Sequence, residues 1–169
     1  MQTIITTLAA FFLIISGIYH QQPALVNDSV TFIVVRHAEK VDSSTDPDLS
    51  EAGMDRARKL AETLQYTKVD GLFSTPYKRT RQTLGILAEK HGLPISDYDP
   101  RRPNVLLDSL KGQSGKVFAI AGHSNTAPHI VNYLIGENRY NDLEDHVYDH
   151  LWIVHLFADG STKTILLHY

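Results

Sequence analysis

The 169-residue chain contains no cysteine. That excludes a disulfide framework, a thiolate nucleophile and a cysteine-ligated zinc site. Nor does it carry an excess of positive charge. Lys and Arg number 16 against 19 Asp and Glu, a formal net charge of −3, and no basic field marks a nucleic-acid partner. Internal repeats and low-complexity tracts are absent, and 43% hydrophobic residues is an ordinary globular share. The length suits one domain and is short for two.

An apolar run long enough to span a membrane is also missing. The longest, Ile4 to Ile18 (IITTLAAFFLIISGI), has 15 residues and no charge, short of the roughly 20 that a span needs. It matches the core of an export signal, although no Lys or Arg precedes it and no A-x-A site follows. An uncleaved membrane anchor and a buried first element of the domain are the alternatives. His20 to Asp28 reads as a linker. The expected organisation is residues 1–28 as signal peptide or anchor plus linker, and residues 29–169 as the domain. The expected location is periplasmic or otherwise extracytoplasmic, with membrane attachment only through the N-terminal segment.

What is present is an alternation of strand and helix. Val30–Val35 (VTFIVV) is a continuous β-branched run, the pattern of a strand covered on both faces. Ser50 is placed to cap a helix running to about Gln65, in which Ala57, Leu60, Ala61 and Leu64 keep helical spacing. Val69–Ser74 reads as a second strand. Pro76 is placed to start a helix continuing over Thr80–His91, with Gly92 as its stop. Leu93–Tyr98 reads as a third strand, Asp99–Gly115 as irregular or weakly helical, Lys116–Ala121 as a fourth strand, and Ser124–Ile135 as a helix closed by Gly136. Leu151–Phe157 and Thr164–His168 flank an Asp159-Gly160 turn, a hairpin signal. The expected fold class is α/β, a three-layer sandwich with a mainly parallel central sheet flanked by helices.

In such sheets ligands bind outside the carboxyl ends of the strands. Three strands end in chemically capable residues: Arg36-His37, Ser74-Thr75 and Gly122-His123-Ser124. Arg79 lies one turn into the helix after the second strand. Two guanidiniums can clamp a phosphoryl group through paired hydrogen bonds. A neutral imidazole can attack phosphorus and carry the group covalently, and a second can donate a hydrogen bond to the equatorial oxygens as charge develops. The arginines supply the positive charge, so neither a metal nor a cofactor is expected.

These motifs resemble those of the histidine phosphatase superfamily. Arg36-His37-Ala38-Glu39 is similar to its R-H-G-E signature, with alanine in place of the usual glycine. Leu49-Ser50-Glu51-Ala52-Gly53 resembles its L-T-x-x-G helix start, Ser74 to Thr83 its S-x-x-x-R-x-x-Q-T stretch, and Ala121 to Asn125 the segment with the second histidine. The resemblance spans about Val30 to Ile135. It implies that His37 is the phosphorylated nucleophile and that Arg36, Arg79 and His123 complete a phosphate pocket. It also implies a carboxylate acid that protonates the leaving oxygen. Asp99 is the first candidate and Asp97 the second. Glu39 is read as loop support or substrate contact, and Ser124 as a helix cap that also touches the phosphate.

The expected activity is a metal-independent phosphatase acting on a phosphomonoester or phosphoramidate, and the compact domain suits a phosphatase better than a mutase. The expected partner is a phosphorylated small molecule or phosphoprotein. Two rivals come from other classes: a non-catalytic phospholigand-binding module on the same fold, and a serine hydrolase using Ser124, which lacks the second glycine of G-x-S-x-G. His129, His146, His150, His155 and His168 match no metal motif by spacing. Tyr148-Asp149-His150 is a candidate outer wall of the pocket.

Overall fold

The structure, a computed structural model, describes residues 29–169. The export signal or anchor read over residues 1–28 lies outside the described residues. The elements run in the order β1 (Ser29–Arg36), α1 (Glu51–Thr63), β2 (Gly71–Ser74), α2 (Lys78–His91), β3 (Ile95–Asp97), α3 (Pro103–Leu110), β4 (Val117–Gly122), α4 (Thr126–Ile135), β5 (His150–Phe157) and β6 (Thr162–His168). They form one six-stranded sheet in the order β3-β2-β4-β1-β5-β6. The four strands from β3 to β1 are mutually parallel, and β5 and β6 add an antiparallel edge.

Every residue of β1 is buried, which explains its unbroken β-branched sequence. Its side chains alternate between two cores. Val30, Phe32 and Val34 pack with Leu107 and Leu110 of α3, Ile130, Val131 and Leu134 of α4, and Trp152. Ile33 and Val35 pack with Leu60, Ala61 and Leu64 near α1 and with Leu84 and Leu87 of α2. The sheet is therefore a middle layer between α1/α2 and α3/α4, the expected three-layer α/β sandwich.

Capping agrees with the sequence at several ends. The Ser50 hydroxyl accepts from Gly53 N at the start of α1. Gly92 and Gly136 close α2 and α4 in the left-handed conformation at φ 63° and 73°, where a side chain would be strained. Three local readings need correction. Asp99–Gly115 contains a regular helix, α3, with Pro103 in its first turn. Its apolar positions Leu107 and Leu110 are buried, and that tertiary burial stabilises a helix too short to show clear periodicity. The second helix begins at Lys78 rather than Pro76, and its first turn is capped from outside, with Lys78 N donating to Asp46 Oδ1 at 2.8 Å. Ser124 does not cap α4. That role falls to Asn125, whose side-chain oxygen accepts from Thr126 N.

Register positions the site. Arg36 lies opposite Gly122 and Ser74 opposite Ala121, so β1, β2 and β4 end almost level. The residues that follow are His37, Thr75 and His123, and all three emerge at one edge of the sheet.

Candidate active site

His37 is buried, 4% exposed, and its ring nitrogens are distinguished by their surroundings. Nδ1 lies 2.8 Å from the carbonyl oxygen of Ala38. A carbonyl only accepts, so Nδ1 carries the proton and Nε2 keeps its lone pair. Burial pushes the His37 pKa down to about 3, with the neighbouring His123, Arg36 and Arg79 adding to the effect against the Ala38 hydrogen bond. The ring is neutral at pH 7, with one nitrogen free to attack. Ala38 N donates to Thr83 Oγ1 at 2.9 Å, and Thr83 Oγ1 donates to Arg79 O at 2.7 Å, tying the loop after His37 to α2. Alanine fits where the signature has glycine because no described non-glycine residue takes a positive φ, and Ala38 sits in a small apolar cluster with Leu49 and Ala57.

His123 faces His37, with ring centroids 5.4 Å apart and planes at 66°. A buried hydroxyl ladder holds it. Its Nε2 lies 3.0 Å from Thr75 Oγ1, which lies 2.8 Å from Thr80 Oγ1. Thr80 Oγ1 reaches the carbonyls of Thr75 and Tyr77 at 3.1 and 2.9 Å. The carbonyls fix the direction of every bond: Thr80 donates to them, Thr75 donates to Thr80, and His123 Nε2–H donates to Thr75. On the other side of the ring, Arg79 Nη2 lies 3.5 Å from Nδ1, which must be the bare nitrogen. Both contacts give the same tautomer. Burial, with Arg79 and Arg36 adding to it, lowers the His123 pKa to about 4.

Arg36 and Arg79 flank this pair. Arg36 is 4% exposed, and its Nη1 donates to the carbonyls of Glu144 and Val147 at 2.8 and 2.7 Å while its guanidinium stacks over the Tyr148 ring at 4.1 Å. The segment supplying those carbonyls is itself anchored. Asn132 of α4 donates to Tyr140 O and accepts from Arg139 N and Tyr140 N, and Leu143 N donates to Ser124 O. Arg79 stacks over Tyr77 at 4.5 Å and donates to Thr45 O at 3.3 Å. The Nε atoms of both arginines are buried without a partner. An unpaired buried donor costs about 1–3 kcal/mol, and two of them beside neutral imidazoles make a pocket suited to an anion.

Residues 32–101 match the family model of the histidine phosphatase superfamily (branch 1). Over that stretch the chain is similar to this superfamily. Among curated proteins it is 38% identical over 77 residues to phosphoserine phosphatase 1 of Hydrogenobacter thermophilus, covering 41% of this chain. The match spans 36% of that relative, about a third of its length. Solved structures share the fold at low identity. A mycobacterial glucosyl-3-phosphoglycerate phosphatase superposes with a TM-score of 0.68 at 13% identity, covering 83% of this chain and 98% of that one. The protein histidine phosphatase SixA complexed with tungstate gives 0.65 at 19%, covering 82% and 96%. A phosphoserine phosphatase from Entamoeba histolytica gives 0.65 at 14%, covering 83% and 97%.

Within this histidine phosphatase fold the signature residues separate into two groups. His37, His123, Arg36 and Arg79 stand together. Glu39 is turned to support: it accepts from Arg56 Nε and Nη2 at 3.0 and 2.6 Å, and Arg56 Nη1 donates to the main-chain oxygen of Tyr169. The Gly53 of the helix-start motif is there because a Cβ would lie 2.2 Å from Glu39 O. Gln82 bridges Leu49 N and Asp48 Oδ1, each at 2.8 Å.

The carboxylates expected to act as acids are engaged by arginines and their neighbours. Asp99 is exposed and accepts from Arg101 N at 2.9 Å and Arg102 Nε at 3.2 Å. Those bonds hold its pKa below the usual carboxylate range, the wrong direction for a proton donor. Asp97 pairs with Arg81. Both line a cleft of about 350 Å³ with Tyr98 and Arg102, between β3 and α3. The Ser124 hydroxyl takes no hydrogen bond among the described residues, and only its carbonyl is engaged.

Tyr148 does wall the site, 6.0 Å from the His37 ring. Asp149 and His150 instead sit beside His168. Sequence reasoning missed the roles of Thr75, Thr80 and Tyr77. The run of polar residues after β2 was their one visible signal.

Proposed function

We propose that this protein is a metal-independent phosphatase that cleaves a phosphomonoester or phosphoramidate through a phosphohistidine on His37. The observation that carries this reading is the state of His37: Nδ1–H bonded to Ala38 O at 2.8 Å, Nε2 bare, and the ring opposite His123 between two arginines with unpaired Nε donors.

In the first step Nε2 attacks phosphorus, the N–P bond forms and the bond to the leaving atom breaks. Arg36 and Arg79 hold the phosphoryl oxygens as charge spreads over them. His123 is the titratable group beside His37 that can bring a proton to the leaving atom. Its bare Nδ1 becomes a donor only when protonated, and the incoming phosphoryl group offsets the two arginine charges that help depress its pKa. In the second step water attacks phosphorus, the N–P bond breaks and inorganic phosphate leaves.

With Glu39, Asp97 and Asp99 held in ion pairs, the site suits substrates with good leaving groups, such as an aryl phosphate or phosphohistidine. The solved structure whose printed name is protein histidine phosphatase supports the phosphoramidate side of this class, and the relative named phosphoserine phosphatase supports phosphomonoester hydrolysis in general. The apolar run Ile4–Ile18 completes the proposal as an export signal, placing the reaction outside the cytoplasm; fractionation of tagged protein tests it. The same ion pairs favour a second reading, a phospholigand-binding module without turnover.

The deciding experiment is hydrolysis of p-nitrophenyl phosphate by the wild type and His37→Ala, with and without EDTA, together with acid-labile, base-stable labelling by phosphoramidate. Turnover and labelling that survive EDTA and vanish in the variant are expected. Phosphate binding with neither turnover nor label selects the binding module.

A further inference from the structure

We propose that Asp149, His150 and His168 form a second site, for a Zn²⁺-class transition-metal ion, at the open end of the β5–β6 hairpin. The antiparallel register sets His150 directly opposite His168. Their rings stand 4.8 Å apart between centroids at 77°. Asp149, just before β5, is fixed by the bond from Tyr169 N to its carbonyl at 3.0 Å. Its Oδ2 lies 3.0 Å from His168 Nδ1, and its Oδ1 lies 4.0 Å from His150 Nε2. One ligand atom from each residue falls within 4.8 Å of the other two.

The condition of His150 Nε2 points to a ligand. Neither ring nitrogen makes a hydrogen bond among the described residues. Nδ1 is sealed in without a partner, the ring stands edge-on to Trp152 at 5.2 Å, and Nε2 faces the Asp149 carboxylate beyond hydrogen-bond range. A dication bonded to Nε2 would give that nitrogen its missing partner and bridge it to the carboxylate.

Metal–nitrogen and metal–oxygen bonds to zinc are about 2.0–2.2 Å. The Asp149–His168 separation already suits two ligands of one tetrahedral ion, and a small swing of the Asp149 carboxylate brings in His150. Two imidazoles and one carboxylate, with no thiolate, select Zn²⁺ or its first-row neighbours over Ca²⁺ and Mg²⁺. His168 is 58% exposed, so remaining coordination positions open to water. This site stands apart from the histidine pair and does not depend on the phosphatase reading.

The test is titration of the full chain with Zn²⁺ by calorimetry, and with Co²⁺ by its visible absorption bands. One ion per chain is expected, with affinity reduced about tenfold or more in His168→Gln and in Asp149→Asn, both with unchanged circular dichroism. His146→Ala and His37→Ala should bind as the wild type does. Undiminished binding by His168→Gln and Asp149→Asn, or no stoichiometric ion in the wild type, overturns the proposal.

Discussion

The fold carries two histidine pairs, and their neighbours give them opposite characters. At the carboxyl ends of β1 and β4, His37 and His123 are enclosed by Arg36 and Arg79, and both pKa values are lowered. Each ring there is turned by a neutral acceptor, the Ala38 carbonyl or the Thr75 hydroxyl. On the hairpin, His150 and His168 adjoin the carboxylate of Asp149. The same side chain is thus set to meet an anion in one place and a cation in the other. The difference lies in the charge beside the ring and in the layer that carries it: a parallel region covered by helices, or an antiparallel edge half open to solvent.

The comparison breaks most sharply at His37, the proposed nucleophile. His37→Ala should lower p-nitrophenyl phosphate turnover by at least about 10³-fold, because no other described group has a bare nitrogen in that place. Steady-state kinetics on the folded variant checks this, and residual turnover above a few per cent of wild type would remove His37 from the chemistry. His123→Ala comes next, and its effect depends on the leaving group. About 10²-fold is expected with an alkyl phosphate, whose leaving oxygen needs a proton, and clearly less with p-nitrophenyl phosphate. Equal losses on both substrates would assign His123 to oxyanion contact alone.

The anion pair was far more legible in the sequence than the cation pair. Arg36-His37, Arg79 and His123 each sit at or just beyond a strand end, and short apolar runs make those ends easy to find. Parallel pairing then brings them together without further information. Asp149, His150 and His168 could not be read this way. Their ligand set exists only through the antiparallel register, which pairs residues 150 and 168 across a turn. The candidate acid shows a related limit. Asp99 stands in the expected segment, but the arginines that follow it draw its carboxylate into a turn. Helix α3 was hidden because its stability comes from burying Leu107 and Leu110, not from its local sequence.

The enclosed pair should also reveal itself in stability. The pKa values of His37 and His123 are held at about 3 and about 4, below the ordinary 6.5. Between those values and 6.5 the unfolded chain binds protons that the native state refuses, so stability falls as pH is lowered through this window. The effect is absent above 6.5, where both states are neutral. The upper part of the window, between about pH 6.5 and 5, lies above the carboxylate titrations. There each histidine steepens the loss toward a limit of about 1.4 kcal/mol per pH unit. Denaturant unfolding of His37→Asn/His123→Asn should show a visibly flatter pH dependence. An unchanged slope would mean that the pair is not held neutral.

The smallest expected effect tests how the pocket sets the tautomer of His123. Thr75→Val keeps the shape of the buried side chain and removes the acceptor for Nε2–H. Nε2–H then has no acceptor and only the longer Arg79 contact to Nδ1 still favours that tautomer, and Thr80 loses the donor that completes its own bonding. A loss of about tenfold in kcat with little change in KM is expected, since the proposed mechanism rests phosphate binding on the arginines and has His123 act on the leaving atom. Thr75→Ser restores the hydroxyl and should recover most of the activity. A purely structural role for Thr75 would lower thermal stability in both variants and leave kcat per folded molecule unchanged. The kcat split between valine and serine at this position therefore measures how far the enclosed histidine owes its function to the direction of one buried hydrogen bond.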